Sequence, residues 1–268
     1  MNQKVFHTGA LKLYGKYVSI IVKSAMQYRA SFIMFVFGRF FVSFNVFLGI
    51  FFMFQRFHSV KGFSYREVLL CFSIVLLEFS LAEMYARGFD VFPSMVRQGD
   101  FDRILLRPRS AVLQVLGSRF ELTRLGAFVQ SIVMFVYAVW TGGVRWTFSK
   151  IAALSLMLIC GSALFTSMFM IGAAFSFFTL ERLEFMNVFT DAAREYGKYP
   201  LGIYGKKLLW ITTFLLPYAL VQYYPLLYLL DRRDSILYVF LPLPAALFLI
   251  PAYLFWRVGV RHYKSTGS

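Results

Sequence analysis

Cysteine and histidine are scarce in this chain of 268 residues. Cys71 and Cys160 lie inside separate apolar runs, so we expect neither a structural disulfide nor a metal site built on cysteine ligands. His7, His58 and His262 fall in three distant polar segments and show no metal-ligand spacing. The sequence therefore predicts no metal site and no cofactor held by this chain.

Acidic residues are also few, at 13 against 28 Lys and Arg, and charged residues make up only 15% of the chain. Hydrophobic residues reach 59%, Phe alone contributes 33, and the mean hydropathy is +0.64. This balance is typical of a protein whose main solvent is lipid. The basic residues lie between apolar runs rather than in one patch, which argues against binding of nucleic acid.

Catalytic motifs are missing as well. No phosphate-binding loop of the form G-x-x-x-x-G-K-[ST] occurs, so the chain is not expected to hydrolyse nucleotide itself. The serines of the apolar runs have no histidine nearby in sequence. Asp191, Arg194 and Glu195 are interpreted as the solvated face of a cytoplasmic helix predicted over about 180–206. The chain is therefore not predicted to be an enzyme.

Six apolar segments are each long enough to cross a membrane, which takes roughly 20 mostly apolar residues. None alternates as an outer-membrane strand does, so the expected fold class is an all-α membrane protein with six transmembrane helices. The predicted spans are residues 30–54, 68–86, 120–140, 151–178, 208–230 and 236–257. An even number of spans puts both termini on one side. Roughly 20 of the 28 basic residues fall there, which the positive-inside rule assigns to the cytoplasm.

Residues 1–29 precede the six-span domain predicted over 30–268 and carry an amphipathic pattern. Lys12, Lys16 and Lys23 recur at helical spacing, while Leu13 and Tyr17 lie away from that stripe. Such a helix lies in the headgroup plane with its basic face toward anionic lipid. Two interpretations stay open: an interface helix that frames the cytoplasmic mouth of a transporter, and a simple membrane-surface anchor.

The connection between the second and third spans is patterned like one or two short helices. Pro93 can begin a helix that Gly99 ends, Asp100 or Asp102 can cap the next turn, and Pro108 stops it. We interpret residues 93–108 as a coupling helix, a rigid knob that sits in a cleft of a partner protein. A basic loop at the lipid headgroups is the alternative.

The candidate coupling residues divide into an apolar and a polar set. Phe101, Ile104 and Leu105 would form the apolar side of the knob, with Arg103 and Arg107 on the polar side. The full candidate set is Pro93, Gly99, Asp100, Phe101, Asp102, Arg103, Leu105, Arg107 and Pro108.

Three charged residues lie within predicted spans, where charge is costly and is usually functional or paired. Arg39 is in the first span, and Glu78 and Glu83 are in the second. At about 1.5 Å per residue they fall at comparable depths, so a pair of Arg39 with Glu78 or Glu83 is feasible. Either a structural ion pair or a polar feature of a transport path would explain them.

Proline interrupts the last two predicted spans. Pro217 and Pro225 lie in the fifth, with Tyr224 beside the latter, and the sixth carries further prolines. Proline removes a backbone donor, and the freed carbonyls in a membrane must be satisfied by protein or water. We interpret Pro217, Tyr224 and Pro225 as a gate or re-entrant element, with plain packing kinks as the alternative.

Two blocks of sequence resemble the permease subunit of ABC-2-type ABC transporters. The first is VRQGDFDRILLRPRSAVLQVLGSRFE, residues 96–121, which is similar to that family's Gly-x-(Leu/Phe)-Asp-x-x-Leu-Leu-x-Pro pattern. The second is EYGKYPLGIYGKKLLWITTFLLPYALVQYYPLLYL, residues 195–229. It has Tyr-Pro before a basic start, a proline at mid-span and a second Tyr-Pro near the outer end, as in the family's second block.

The resemblance implies a six-span, ABC-2 (type V) exporter-like subunit in a prokaryotic plasma or inner membrane. It implies two copies of an ABC ATPase, which would supply ATP and Mg chemistry, and pairing with a related six-span permease or with itself. Many members carry two re-entrant helices between spans five and six. The predicted connection at 231–235 is too short for them unless Pro225 marks a break.

The expected function is export of an apolar or amphipathic substrate, such as a drug, lipid or peptide, out of the cytoplasm or inner leaflet. The alternatives are a non-transporting membrane scaffold or sensor and a membrane-embedded lipid-modifying enzyme. An enzyme would need polar catalytic groups converging at one interface, and the sequence has none. A scaffold would not need the patterned 99–110 segment.

Overall fold

The computed structural model describes residues 4–179 and 186–265, and regular structure in them is helical apart from one isolated β-bridge. The helices are α1 Lys4–Ala25, α2 Arg29–Arg56, α3 Tyr65–Asp90, α4 Phe92–Arg97, α5 Asp100–Leu105, α6 Ala111–Ser118, α7 Leu125–Gly142, α8 Phe148–Thr179, α9 Met186–Tyr196, α10 Lys206–Phe214, α11 Tyr218–Val221, α12 Tyr223–Leu229, α13 Leu237–Phe240, α14 Pro242–Ala246 and α15 Leu249–His262. The expected all-α class is confirmed for this part of the chain.

Five helical segments in the described residues are long and apolar enough to cross a membrane. They contain α2, α3, α7, α8 and the run α13–α15, and each overlaps a predicted span. Prolines divide the last of them, with Pro242 in the first turn of α14. The fifth predicted span, 208–230, is not among them, because its helix ends at Phe214 and two short helices follow.

Helix α3 is the centre of the bundle, packed between α7 and α8. It begins with a capping box, in which Ser64 and Glu67 satisfy each other's backbone N–H groups. Most of its side chains are buried. At its other end Gly88 meets α6 so closely that an added Cβ would lie 1.8 Å from the carbonyl oxygen of Val115. A glycine is needed there because no side chain fits between the two backbones.

Helices α1 and α2, unlike α3, are largely exposed on the outside of the bundle. Only a 3₁₀ turn, Met26–Tyr28, separates them, and just 6% of the most apolar window of this continuous segment is buried. The predicted basic stripe of Lys12, Lys16 and Lys23 is exposed, as its helical periodicity suggested. In α1, Tyr14 donates to the backbone oxygen of Tyr85, which holds that helix against the bundle.

Contacts among the loops define two ends of the bundle. The loop end holds residues 57–64, 143–147 and 230–236, joined by the pairs Arg232–Glu67 at 2.8 Å and Lys150–Asp231 at 2.7 Å. The termini end holds α1, α4, α5, α6 and residues 262–265. Helix α1 and residues 262–265 therefore lie at the same end of the bundle, where α1 packs on α6 and Ser265 bonds to Asp102.

Candidate functional site

The segment predicted as a coupling helix forms two short helices at the termini end. Pro93 lies in the first turn of α4, and Gly99 adopts a left-handed conformation, φ 72°, between α4 and α5. This φ is strained for residues with a Cβ, which explains glycine at this turn. The predicted caps are wrong, because Gly99 is itself the N-cap and no side-chain cap bond forms. Asp100 faces Arg103 at 3.7 Å, and Asp102 accepts a hydrogen bond from Ser265.

Phe101 anchors this segment to the bundle rather than projecting from it. Its ring is fully buried and meets the rings of Phe177 at 5.3 Å and Tyr263 at 5.0 Å. Phe92 joins the same cluster at 5.0 Å and packs on Trp256 at 4.7 Å. Edge-to-face pairs at these separations stabilise a rigid aromatic cluster. The cluster ties α4 and α5 to the ends of α8 and α15.

The surface that the segment offers to a partner therefore differs from the one predicted. Pro93 and Phe101 are buried, whereas Arg103, Leu105, Arg107 and Pro108 are exposed. Leu106, which the sequence analysis did not single out, is 85% exposed. The Gln114 side chain fixes this helix end by hydrogen bonds to the carbonyl oxygens of Ile104 and Arg109, so Leu106 is an exposed apolar side chain on a held backbone.

The helix predicted as cytoplasmic follows another course. Its residues 180–185 lie outside the described residues. From α9 onward, the chain contacts α3 at successively earlier residues. Arg194 lies over the Phe79 ring, 4.8 Å from its centroid, and the Gly197 carbonyl faces Cys71. A helix lying across the termini end would not make these contacts.

The same course continues to the loop end. Tyr199 bonds to the Met53 sulfur, in the last turn of α2. Lys61 then donates to the Ile203 carbonyl oxygen at 2.6 Å. We name residues 186–204 the crossing segment, because they run along α3 from Phe79 to the loop end.

Residues 206–229 fold back as a hairpin, which replaces the predicted fifth span. Helix α10 starts at the loop end, directly after the crossing segment, and returns along α9. The turn is at Pro217, and the Tyr218 ring packs on Phe165 at 5.3 Å, near the middle of α8. Helix α12 then leads back to the loop end, where Tyr228 donates to Ser149 at 2.8 Å. We name this element the re-entrant hairpin.

The two arms of the re-entrant hairpin are joined by the residues predicted to form a gate. The Tyr224 and Thr213 hydroxyls, one on each arm, lie 3.1 Å apart. Pro225 is buried in the first turn of α12, where its missing N–H costs no helical bond. At the turn, the Tyr218 hydroxyl donates to the Phe189 carbonyl of the crossing segment. The two prolines thus shape a turn and a helix start, not kinks in one span.

Gln222 satisfies backbone groups that the crossing segment leaves without helical partners. Its Nε2 donates to the carbonyl oxygens of Tyr199 at 2.8 Å and Gly197 at 3.1 Å. Its Oε1 accepts from the Leu201 N–H at 3.2 Å. Irregular backbone inside a membrane protein needs such partners. Sequence reasoning passed over this residue, although a lone amide within an apolar run was a visible signal.

An apolar cavity of about 210 Å³ separates the crossing segment from α10. Phe189, Ala193, Leu208 and Ile211 line it, with Tyr218 at one side. The Thr212 hydroxyl in its wall donates to the Leu208 carbonyl. A cavity with this lining accepts hydrocarbon or an aromatic ring rather than an ion.

The intramembrane charges pair differently from the suggested scheme. Glu83 contacts Arg124 at 2.7 Å and Arg87 at 3.1 Å, and Arg87 also reaches Asp90 at 2.7 Å. Arg124 directly precedes α7, and its side chain reaches Glu83 on α3. The buried carboxylate is therefore compensated by two guanidinium groups, which is the arrangement of a structural ion cluster.

Arg39 and Glu78 lie apart from this cluster. Arg39 is exposed on α2, and no ion pair joins it to another of the described residues. Glu78 is 1% exposed, packs against Gly161, and leaves its Oε1 without a hydrogen-bond partner in the described part of the chain. The pairs of Arg39 with Glu78 or Glu83 are thus not formed.

The family model that describes ABC-2 family transporter proteins matches residues 40–267. This chain belongs to the ABC-2 transporter family. Comparison with curated proteins gives no match, and neither does comparison with solved structures. The ABC-2 resemblance seen in two sequence blocks is therefore confirmed over most of the chain.

ABC-2 family membership defines the kind of protein. Members are membrane transport components, are not themselves catalytic, and normally work with an ABC ATPase. The chain is accordingly a multi-pass membrane protein. The span predicted over 208–230 is instead the hairpin at 206–229, whose two arms meet at Pro217.

Proposed function

We propose that this chain is the permease subunit of an ATP-driven ABC exporter that moves an apolar or amphipathic substrate. The observation that carries the proposal is the exposed end of α5, at Arg103, Leu105 and Leu106, backed by the buried aromatic cluster. A partner that presses on this surface displaces α8 and α15 directly, because Phe101 is wedged between Phe177 and Tyr263. An energy source outside the chain fits the missing phosphate-binding loop.

The proposed arrangement in the membrane has six crossings, with the crossing segment as the fifth. The termini end faces the cytoplasm under the positive-inside rule. Lys206 and Lys207 were counted on the cytoplasmic side in the prediction but lie at the loop end. The excess of basic residues at the termini end is therefore smaller than predicted, but it remains. The re-entrant hairpin then enters from outside and serves as the outer gate.

The proposed substrate region is the apolar cavity beside that hairpin. Its walls come from both the crossing segment and α10, so separation of these two elements opens it. The aromatic and aliphatic lining suits a drug, a lipid chain or an apolar peptide. The functional assembly contains two ABC ATPase subunits, which bind ATP and Mg, and a second permease, either a related chain or another copy.

Co-purification tests the motor contact. The variant Arg103→Glu with Leu106→Glu is expected to lose ATPase association by roughly tenfold or more, because an interface centre tolerates buried unpaired charge poorly. The matched control is Arg233→Glu with Ile236→Glu, which puts the same charges on exposed residues of the loop end at the same spacing. Equal recovery of the ATPase with both variants would show that α5 is not where the ATPase binds.

A further inference from the structure

A second cavity, of about 310 Å³, lies at the termini end between the first turn of α6 and the last turns of α15. Its lining includes Ser110 and Val112 from α6, and Trp256, Arg257 and Arg261 from α15. The Trp256 side chain is 2% exposed and forms an apolar floor. This cavity is separate from the apolar cavity and from the exposed end of α5.

The two arginines give the cavity an uncompensated positive charge. Arg257 and Arg261 are four residues apart on one helix, so they lie on the same face, about 6 Å from each other along the axis. Neither makes an ion pair with any residue that the structure describes. Across the cavity, the first backbone N–H groups of α6 have no helical acceptors, since the bonding begins with Gln114 to Ser110. The lining therefore presents donors and no carboxylate.

The surface beside the cavity has the profile of a helix that leaves a bilayer. Ile250 and Leu254 are exposed and apolar, at 57% and 53%. Tyr253 lies between them in sequence, with the Arg257 guanidinium 6.0 Å from its ring centroid. Arg257 and Arg261 come after these apolar and aromatic residues, which is the order met in passing from acyl chains to headgroups. The cavity thus opens at headgroup depth beside a surface suited to hydrocarbon.

We propose that this cavity binds one anionic phospholipid, with its phosphodiester between Arg257 and Arg261 and its acyl chains along the apolar side of α15. Guanidinium groups pair with phosphate in bidentate geometry, and basic pockets between helices at a membrane surface hold acidic headgroups. An acidic segment of a partner protein fits less well, because the apolar stripe of Ile250 and Leu254 continues directly from the charged lining.

The bound lipid would also brace the coupling region. Trp256 is the floor of the cavity and a member of the aromatic cluster that holds Phe92 and Phe101. A headgroup seated above it ties α6 to α15 across the base of that cluster. Lipid composition would then influence how firmly α4 and α5 are held.

Lipid retention by the purified full chain tests the proposal. Native mass spectrometry counts phosphatidylglycerol and phosphatidylcholine carried by the protein, and titration gives an apparent affinity for each. We expect selective retention of one phosphatidylglycerol. The variant Arg257→Gln with Arg261→Gln should weaken that affinity on the order of tenfold. The double lysine variant should retain part of it, because charge remains while the bidentate geometry is lost.

A matched variant separates a specific site from general surface charge. Arg97→Gln with Arg107→Gln removes the same charge from exposed positions of the termini end outside the cavity. Its phosphatidylglycerol affinity should equal that of the unaltered chain. Equal losses in both glutamine variants, no preference over phosphatidylcholine, or full competition by inorganic phosphate would each overturn the proposal. So would an unchanged lipid affinity combined with loss of ATPase binding in Arg257→Gln with Arg261→Gln.

Discussion

The Lys61 ammonium donates a hydrogen bond to the Ile203 carbonyl oxygen across 142 residues of sequence. Lys61 belongs to the turn between α2 and α3 at the loop end, and Ile203 is the second-last residue of the crossing segment. Their contact places residues that sequence reasoning assigned to opposite membrane faces beside each other. The residues after Ile203 must therefore turn back into the bundle, which is what the re-entrant hairpin does.

Replacing Gln222 by leucine should destabilise the protein strongly. The change leaves the Tyr199 carbonyl and the Leu201 N–H without the Gln222 partner and leaves the Gly197 carbonyl with only the weak Cys71 donor, at a cost of roughly 2–4 kcal/mol in unfolding free energy. Thermal or denaturant unfolding in detergent measures it. Gln55→Leu is the control, since Gln55 is exposed on α2 and should shift stability little. Similar losses in both variants would remove the special role of Gln222.

Replacing Gly126 by alanine should separate α2 from α7. An added Cβ would lie 2.0 Å from the Val36 carbonyl oxygen and 2.9 Å from the Phe40 nitrogen. We expect a loss of about 1–3 kcal/mol, the usual cost of overpacking. Gly49→Ala is the matched control, because its Cβ would meet nothing within 4 Å. Unfolding measurements should show no loss of stability for that control.

The Glu83–Arg124 contact should behave as a structural ion pair. Glu83→Gln alone leaves Arg124 buried with less compensation and should cost roughly 3–5 kcal/mol, whereas Glu83→Gln with Arg124→Met should recover much of that loss. A double-mutant cycle by denaturant unfolding measures the coupling. Arg39→Gln should leave stability unchanged, because Arg39 is exposed. Transport that stays lost in the stable double variant would instead assign the pair to the transport path.

The pH dependence of stability should change when Glu121 becomes glutamine. Burial raises the pKa of this carboxyl, but a hydrogen bond from Thr123 at 2.7 Å and the nearby Arg119 outweigh it and lower the pKa below its usual value. A lowered pKa stabilises the fold above the unfolded pKa, and this stability is lost as pH falls through the folded one. Glu121→Gln should therefore unfold at lower temperature at neutral pH. The difference should shrink below about pH 4, and a difference that grows there would contradict it.

Filling the apolar cavity should slow transport without unfolding the chain. Ala193→Phe places a ring in the cavity, and transport by reconstituted vesicles with the ATPase should fall on the order of tenfold. Ile132→Phe is the control, since it adds volume on an exposed side of α7. Unaltered transport in Ala193→Phe would place the substrate elsewhere.

Sequence periodicity and turn chemistry predicted the parts of the fold that depend on local physics. Apolar length located five long helical segments, and the Pro93 and Gly99 positions gave the bounds of two short helices. The burial of Phe101 could not be predicted, because it depends on Phe177 and Tyr263, which are distant in sequence. An apolar residue on a short surface helix can face a partner or its own core, and the pattern is the same.

The error at 208–230 has a similar physical cause. A hairpin that dips into a membrane needs the same apolar composition as a helix that crosses it, so length alone gave one span. Pro217 was the visible break, but a proline also fits a kinked helix. The crossing segment was missed for the opposite reason. Asp191, Arg194 and Glu195 suggested a solvated face with local ion pairs, and this is confirmed, with Arg194 3.1 Å from Glu195 and the Asp191 and Glu195 side chains 50% and 47% exposed. The same charge pattern fits a helix on the membrane surface and a helix that packs along α3, so the sequence did not distinguish them.

Gly88 gives the junction of α3 and α6 a mechanical property. Because the two backbones are in direct contact, α3 and α6 should move together as one rigid unit when either is displaced. Helix α3 is continuous from there to Ser64, its capping residue at the far end. A small stroke delivered beside Val115 should therefore reach the opposite end of the molecule at nearly its full amplitude, as along a rigid rod.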